Sequence, residues 1–279
     1  MIGTTAIVLD SACYLPREVV ERFGALVVPL TVVVDGEELR EFVDIEAPAF
    51  YRRLSAGATV ATSQPPPGRF IEAYEQAAAS GAERIVSIHI GSNLSGTLNS
   101  ARIAAGSSPV PIHLVDTGQA SFIEGLCAWE LMEALANGEP LAVAEGRAHR
   151  AAAAAGNVFI VKGTSLLRQG GRYKAEGEAG APVLALVDGA IRPIGSAASV
   201  EEAMAALQVH VAAAIAANSG KTFRIGISNG AADELAGELE ARIRALAPSA
   251  DVMQYTIGPV VGAHTGPGCT GAVFLARPV

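Results

Sequence analysis

Aromatic residues are scarce in this chain of 279 residues: Phe, Tyr and Trp make up 5%, with a single Trp. So few rings argue against a stacking platform for nucleic-acid bases. Basic residues are also in the minority, 20 Lys and Arg against 28 Asp and Glu, for a net charge of −8. A surface of that sign does not gather phosphate backbones or anionic lipid, so neither nucleic acid nor stable membrane insertion is expected. Cysteine is rarer still. Cys13, Cys127 and Cys269 lie far apart in no paired spacing, so no disulfide framework or zinc site is expected, and a reducing cytoplasm fits best. The first ten residues lack a basic n-region and reach Asp10 early, unlike a signal peptide. The longest apolar runs are alanine-rich and broken by Glu, Arg or Gly, too short and polar to cross a bilayer. A soluble protein is expected. No acidic pair or His/Asp cluster suggests a metal, and no cofactor is expected.

Hydrophobic residues, in contrast, make up 50% of the chain, enough for a large core and two modest domains. Ala6–Leu9 reads as a buried strand ending at Asp10-Ser11, and Pro16-Arg17 opens a short helix. Leu26–Val34 is β-branched and strand-like, followed by the turn signal Asp35-Gly36. The stretch Thr62-Ser63-Gln64-Pro65-Pro66-Pro67-Gly68 is a rigid polar entry to an amphipathic helix at Phe70–Ala77. Its prolines fix φ and donate nothing, so Thr62 and Ser63 are expected to be held in place as hydroxyl contacts. Strand, helix, strand, helix through Asp116 and two further helices to Ala155 predict a mainly parallel sheet covered on both faces. Gly156-Asn157 is the expected domain boundary. Beyond it, a hairpin around Asp188-Gly189, two helices and further strands predict an α+β domain.

The chain is organised around Ile85–Ala101. Its first half alternates like a strand to Gly91, and its second, from about Thr97, has the content of a helix. Between them, Ser92-Asn93-Leu94-Ser95-Gly96 supplies hydroxyls, an amide and unpaired helical N–H groups. In open α/β sheets ligands bind outside the strand carboxyl ends. Ser95 or Asn93 is equally readable as a helix cap.

Near the C-terminus, glycines and prolines crowd Gly258–Gly271 around His264. This reads as a loop between two strands whose density favours a functional His264 over a packing role. The other four histidines sit in helix or strand patterns and read as structural or surface residues.

Ser95, Asp116 or Asp188, and His264 follow the Ser…Asp…His order of the α/β hydrolases, so a serine hydrolase acting on a lipid ester is an alternative. The nucleophile elbow G-x-S-x-G is absent, however. Asn218-Ser219-Gly220-Lys221-Thr222 imitates the end of a P-loop but precedes a strand, not a helix. Neutral hydroxyls, backbone N–H groups and one histidine suit binding of a carboxylate better than turnover.

Six motifs in order carry a resemblance over essentially the whole chain. They are Val8-Leu9-Asp10-Ser11-Ala12, Val28-Pro29-Leu30, Thr62-Ser63-Gln64-Pro65, Leu94-Ser95-Gly96-Thr97, Gly170-Gly171-Arg172 and Gly262-Ala263-His264-Thr265-Gly266-Pro267-Gly268. Together they resemble the DegV family, whose members look like fatty-acid-binding subunits of a bacterial two-component fatty acid kinase. The resemblance implies an α/β, two-domain DegV-like fold, a mainly parallel α/β domain at 1–156 and an α+β domain at 157–279, with a ligand tunnel between them. It implies Thr62, Ser63, Ser95, Gly96 and His264 as ligand-binding residues, with Arg172 in support. It also implies a non-enzymatic carrier whose partners are a long-chain fatty acid and a separate fatty acid kinase subunit. A carrier of another apolar carboxylic acid, with no kinase, is a further alternative. Relatives often carry basic residues after the hairpin, where this chain reads Gly195-Ser196-Ala197-Ala198-Ser199-Val200-Glu201-Glu202, and that departure bears on kinase docking.

Overall fold

The computed structural model describes residues 1–171, 173 and 181–277. In chain order the elements are β1 (Thr5–Asp10), α1 (Arg17–Phe23), β2 (Leu26–Val28), β3 (Thr31–Val34), β4 (Glu37–Arg40), α2 (Ala47–Ser55), β5 (Val60–Ser63), α3 (Pro67–Ala79), β6 (Arg84–His89), α4 (Thr97–Ala105), β7 (Ile112–Asp116), α5 (Phe122–Ala136) and α6 (Leu141–Ala154). There follow β8 (Gly156–Ile160), α7 (Ser165–Gln169), β9 (Ala181–Val187), β10 (Ala190–Ala197), α8 (Val200–Ala217), β11 (Thr222–Gly230), α9 (Asp233–Leu246), β12 (Asp251–Thr256), α10 (Pro259–Thr265) and β13 (Cys269–Arg277).

The chain forms two compact units. The first takes residues 1–33, 37–44 and 62–153, and the second takes 34–36, 45–61 and 154–279. A single boundary at 156 therefore leaves out the segment around α2, which groups with the C-terminal half. The reason is local to that unit. Phe50 and Tyr51 are buried, Tyr51 Oη donates to Ile257 O at 3.1 Å, and a Cβ at Gly262 would strike both rings.

In the first unit a four-stranded sheet runs in the order β2-β1-β6-β7, with every pair parallel. Ala6 and Val8 of β1 pack with Phe70, Tyr74 and Ala77 of α3 and Ala101 and Ala104 of α4. Ile7 and Leu9 point the other way and are equally buried, so this sheet is covered on both faces, as the sequence pattern predicts. The expected single strand over Leu26–Val34 is instead two. Pro29 has no N–H to give a ladder, and β2 and β3 belong to different sheets, β3 lying in a three-stranded one of order β4-β3-β5. Asp35 and Gly36 make the expected turn, with φ of 53° and 83°.

The second unit carries a six-stranded mixed sheet, order β10-β9-β8-β13-β11-β12, of which only β11 and β12 pair in parallel. Asp188 and Gly189 join β9 to β10 with φ of 50° and 69°, both positive, as a tight hairpin turn requires. Leu207 and Val211 of α8 and Leu239 and Ile243 of α9 pack with Ile225, Val158 and Phe274 of the sheet. Contrary to the reading of the apolar runs, α8 is long and apolar enough to cross a membrane by length and composition. Its buried stripe in this core is an alternative use of the same composition. The three cysteines are free and buried, and burial pushes each thiol upward, Cys269 to about 12.

Candidate functional site

The site residues predicted from sequence fall into two groups, one in each unit. In the first unit β1 and β6 are the central strands, and the chain leaving β6 builds the central loop. Gly91 N donates to Gln119 O at 2.8 Å, and Leu94 N and Ser95 N donate to Gly91 O at 2.9 and 3.0 Å. A Cβ at Gly91 would collide with Gly118 backbone and the Asn93 amide, so only glycine fits this tight start. The loop delivers Ser95, half-buried, to the first turn of α4.

Gly96, not Ser95 or Asn93, is the N-cap of α4. Ser95 Oγ lies 2.8 Å from Thr97 Oγ1 and accepts a long bond, 3.3 Å, from Thr97 N. A long bond is a weak one, so capping accounts for little of what this hydroxyl can offer. Both of those partners come from Thr97, and neither is an imidazole that could take the hydroxyl proton, as a hydrolase nucleophile requires.

Two motifs meet at Gly96. A Cβ there would run into the Oε1, Cδ and Cβ atoms of Gln64, so the Gln64 side chain lies directly against the central loop. Thr62 and Ser63 end β5, the first half-buried and the second exposed. Pro67 then occupies the first turn of α3, where a missing N–H costs nothing. The structure therefore brings together the Gln64 carboxamide and Gly96, next in sequence to Ser95, neutral groups of the kind that hold a carboxylate without burying a counter-charge.

In the second unit His264 is half-buried in the last turn of α10. The expected loop over Gly258–Gly271 is thus corrected to a short helix leading into β13. Its glycines have packing reasons: Gly262 meets Tyr51, Gly271 lies against Val158 and Phe159, and Gly266 and Gly268 have φ of 73° and 87°. Glycine density there does not by itself mark a ligand site. The structure does place His264 against the other glycine motif, since a Cβ at Gly170 would strike its Nδ1. Arg172 lies outside the described residues.

Sequence reasoning missed a buried polar network at the carboxyl ends of β1 and β6. Asp10, Ser87, His89, Glu41 and Glu124 have no solvent exposure. His89 Nδ1 is 3.1 Å from Asp10 Oδ2, and His89 Nε2 is 2.6 Å from Ser87 Oγ. Ser11 Oγ donates to Glu41 and accepts from Leu30 N at 3.0 Å, and Tyr14 Oη donates to Glu41 at 3.1 Å. Burial, then the Asp10 charge, pushes the Glu124 carboxyl well above its ordinary range. The Ser, His and Asp side chains here imitate a catalytic triad, but with no exposure they cannot meet a substrate. Only the fused polar ending Asp10-Ser11 hinted at the network. Among the described residues, no group of three or more His, Cys, Asp or Glu is arranged to hold a metal ion.

An open parallel sheet whose central strands end in a hydroxyl-rich loop, joined in one chain to a mixed α+β unit, puts this chain in the open-sheet α/β class, in which ligands bind outside the strand carboxyl ends. The family is set by comparison: the model for the uncharacterised DegV family matches residues 4–277, and the chain belongs to that family. A DegV domain-containing protein of Streptomyces coelicolor is 38% identical, over 98% of this chain and 98% of its own. Among solved structures, a fatty-acid-binding DegV family protein from Thermus thermophilus is 27% identical with a TM-score of 0.90, covering 98% of this chain and 99% of that one. A Thermotoga maritima protein with fatty acid binding function is 25% identical with a TM-score of 0.85, over 98% and 99%.

Proposed function

We propose that this protein binds a long-chain fatty acid and presents its carboxylate to a separate ATP-dependent kinase in the cytoplasm. The observation that carries the reading is the meeting of Gln64 with Gly96 beside Ser95, which sets a neutral carboxamide against the loop that carries the Ser95 hydroxyl. Fatty acid binding by the Thermus thermophilus and Thermotoga maritima relatives supports it. On this reading Thr62, Ser63 and Ser95 hold the carboxylate oxygens, with His264 and Arg172 as supporting contacts carried over from the motifs. The chain is a carrier, and chemistry at the carboxylate belongs to the partner.

An acyl chain taken out of water gains about 0.8 kcal/mol per methylene, so a long one survives ordinary purification. Native mass spectrometry and organic extraction of freshly purified protein are expected to yield one fatty acid per chain. Repeated extraction without lipid, together with no uptake of added fatty acids, contradicts the reading.

A further inference from the structure

The central strands β1 and β6 end side by side, Leu9 in register with Ile88, so Asp10 and His89 are the last residues of a parallel pair. A chain of hydrogen bonds runs through them. Tyr74 Oη lies 2.8 Å from Ser87 Oγ, Ser87 Oγ lies 2.6 Å from His89 Nε2, and His89 Nδ1 lies 3.1 Å from Asp10 Oδ2. Counting protons gives it a direction. With the imidazole proton on Nδ1, His89 donates to Asp10 and accepts from Ser87, whose oxygen accepts from Tyr74. Every proton then has an acceptor. A proton on Nε2 as well would turn the Ser87 hydroxyl toward Tyr74 and leave the phenol proton of a fully buried side chain without one.

Asp10 carries this order into the backbone. Its Oδ2 also accepts from Ile90 N and its Oδ1 from Ala12 N, both at 3.0 Å. Ile90 is the first residue past β6, and the next, Gly91, supplies the carbonyl that Ser95 N bonds at 3.0 Å. One carboxylate thus holds the root of the loop that delivers Ser95. Asp10, Ser87, His89 and Tyr74 have no exposed surface, so any effect they have on a ligand passes through that loop.

We propose that Asp10 and His89 are positioning residues that hold Ile90 and Gly91 so that the Ser95 hydroxyl is preset for a carboxylate, making the site prefer a free fatty acid to its neutral ester. The proposal rests on Ser95 being a head-group contact. A carboxylate at position 10 accepts from three donors at once. Asparagine keeps the volume but has one accepting atom, so whichever way the amide turns, Ala12 N–H or the Ile90 and His89 pair faces another donor.

The test is equilibrium binding of a long-chain fatty acid and its methyl ester to wild type, Asp10→Asn, Ser87→Ala, Ser95→Ala and the double variant Asp10→Asn/Ser95→Ala, with a melting curve for each. Ser87→Ala breaks the buried chain but leaves Asp10 bonded to Ile90. Asp10→Asn is expected to weaken acid binding about tenfold, the effect of one mispositioned hydrogen bond, and to leave ester binding within about twofold. Ser87→Ala should melt earlier yet keep the acid preference. The double variant should bind acid no more weakly than Ser95→Ala alone. Equal losses for acid and ester, wild-type behaviour of Asp10→Asn, or additive losses in the double variant overturn the proposal. Should Asp10→Asn not fold, His89→Asn, whose amide N–H replaces Nδ1–H, is expected to keep the preference that His89→Leu loses, and the same result from both overturns it. A Ser95→Ala protein with undiminished acid preference refutes the head-group reading itself, whatever the Asp10 variants do.

Discussion

Ser95 and Glu124 show how differently one polar residue can be used in the first unit. Ser95 Oγ has a strong contact only with Thr97 Oγ1, and its bond from Thr97 N is long at 3.3 Å. Ser95→Ala is therefore expected to weaken fatty acid binding by about 1–3 kcal/mol, the cost of a charge-assisted bond, and to destabilise the fold by less. Isothermal titration beside a melting curve checks this, and normal binding with early melting would assign Ser95 to capping. Glu124, fully buried, has its carboxyl pushed upward by burial and by the Asp10 charge. Its folded value lies above the ordinary 4.5, so its contribution is intact below that pH. It is lost as pH rises toward the folded value, because there the unfolded chain releases a proton that the folded chain retains. Glu124→Gln has no proton to hold. Its melting temperature relative to wild type should rise as pH is raised from 4.5, and a pH-independent difference would count against a raised Glu124.

Among the elements, α4 and α8 begin in opposite ways. The start of α8 is closed by its own side chains: Ser199 Oγ accepts from Glu202 N at 3.2 Å, and Glu202 Oε2 accepts from Ala198 N at 2.8 Å. This reciprocal box explains Ser199 and Glu202 without a partner, while Glu201 is exposed and outside the box. Gly96 opens α4 with no side chain to cap it, leaving its first turn to Ser95 and Gln64. The φ of Gly96 is −76°, so alanine fits the backbone, but its Cβ would displace the Gln64 carboxamide. Gly96→Ala should cost the fold no more than about 1 kcal/mol, yet reduce fatty acid affinity about tenfold by moving one polar contact. Unchanged affinity, measured by displacement of a fluorescent fatty acid, would remove Gln64 and Gly96 from the site.

At the scale of the whole molecule, the net charge of −8 bears on partners more than on the fold. With ATP and fatty acid, the protein alone is expected to form no acyl phosphate, and added fatty acid kinase should restore formation. If that kinase docks an acidic face near the start of α8, Glu201→Lys should speed phosphorylation at low salt, and the gain should fade as salt screens it. Acyl phosphate made by the protein alone would overturn the carrier assignment, and equal rates for both proteins across ionic strengths would move docking to another surface.

Local patterns in the chain were enough for most elements. The β-branched runs at β1, β6 and β7, the positive-φ turns at Asp35-Gly36 and Asp188-Gly189, and the helical span of α8 are all written in nearest-neighbour chemistry, as is the Ser95 loop after β6. The interruption of Leu26–Val34 was written there too, in Pro29, whose missing N–H divides the run between two sheets. Other features depend on residues distant in sequence. Asp10 meets His89 across 79 positions because parallel strands β1 and β6 end together, and Tyr51 reaches Ile257 across 206 because Gly262 admits its ring. The glycines around His264 looked like a ligand loop until the packing of α10 accounted for them. Periodicity reports which face of an element is apolar, whereas the partner of a buried polar atom is chosen only when the strands come into register.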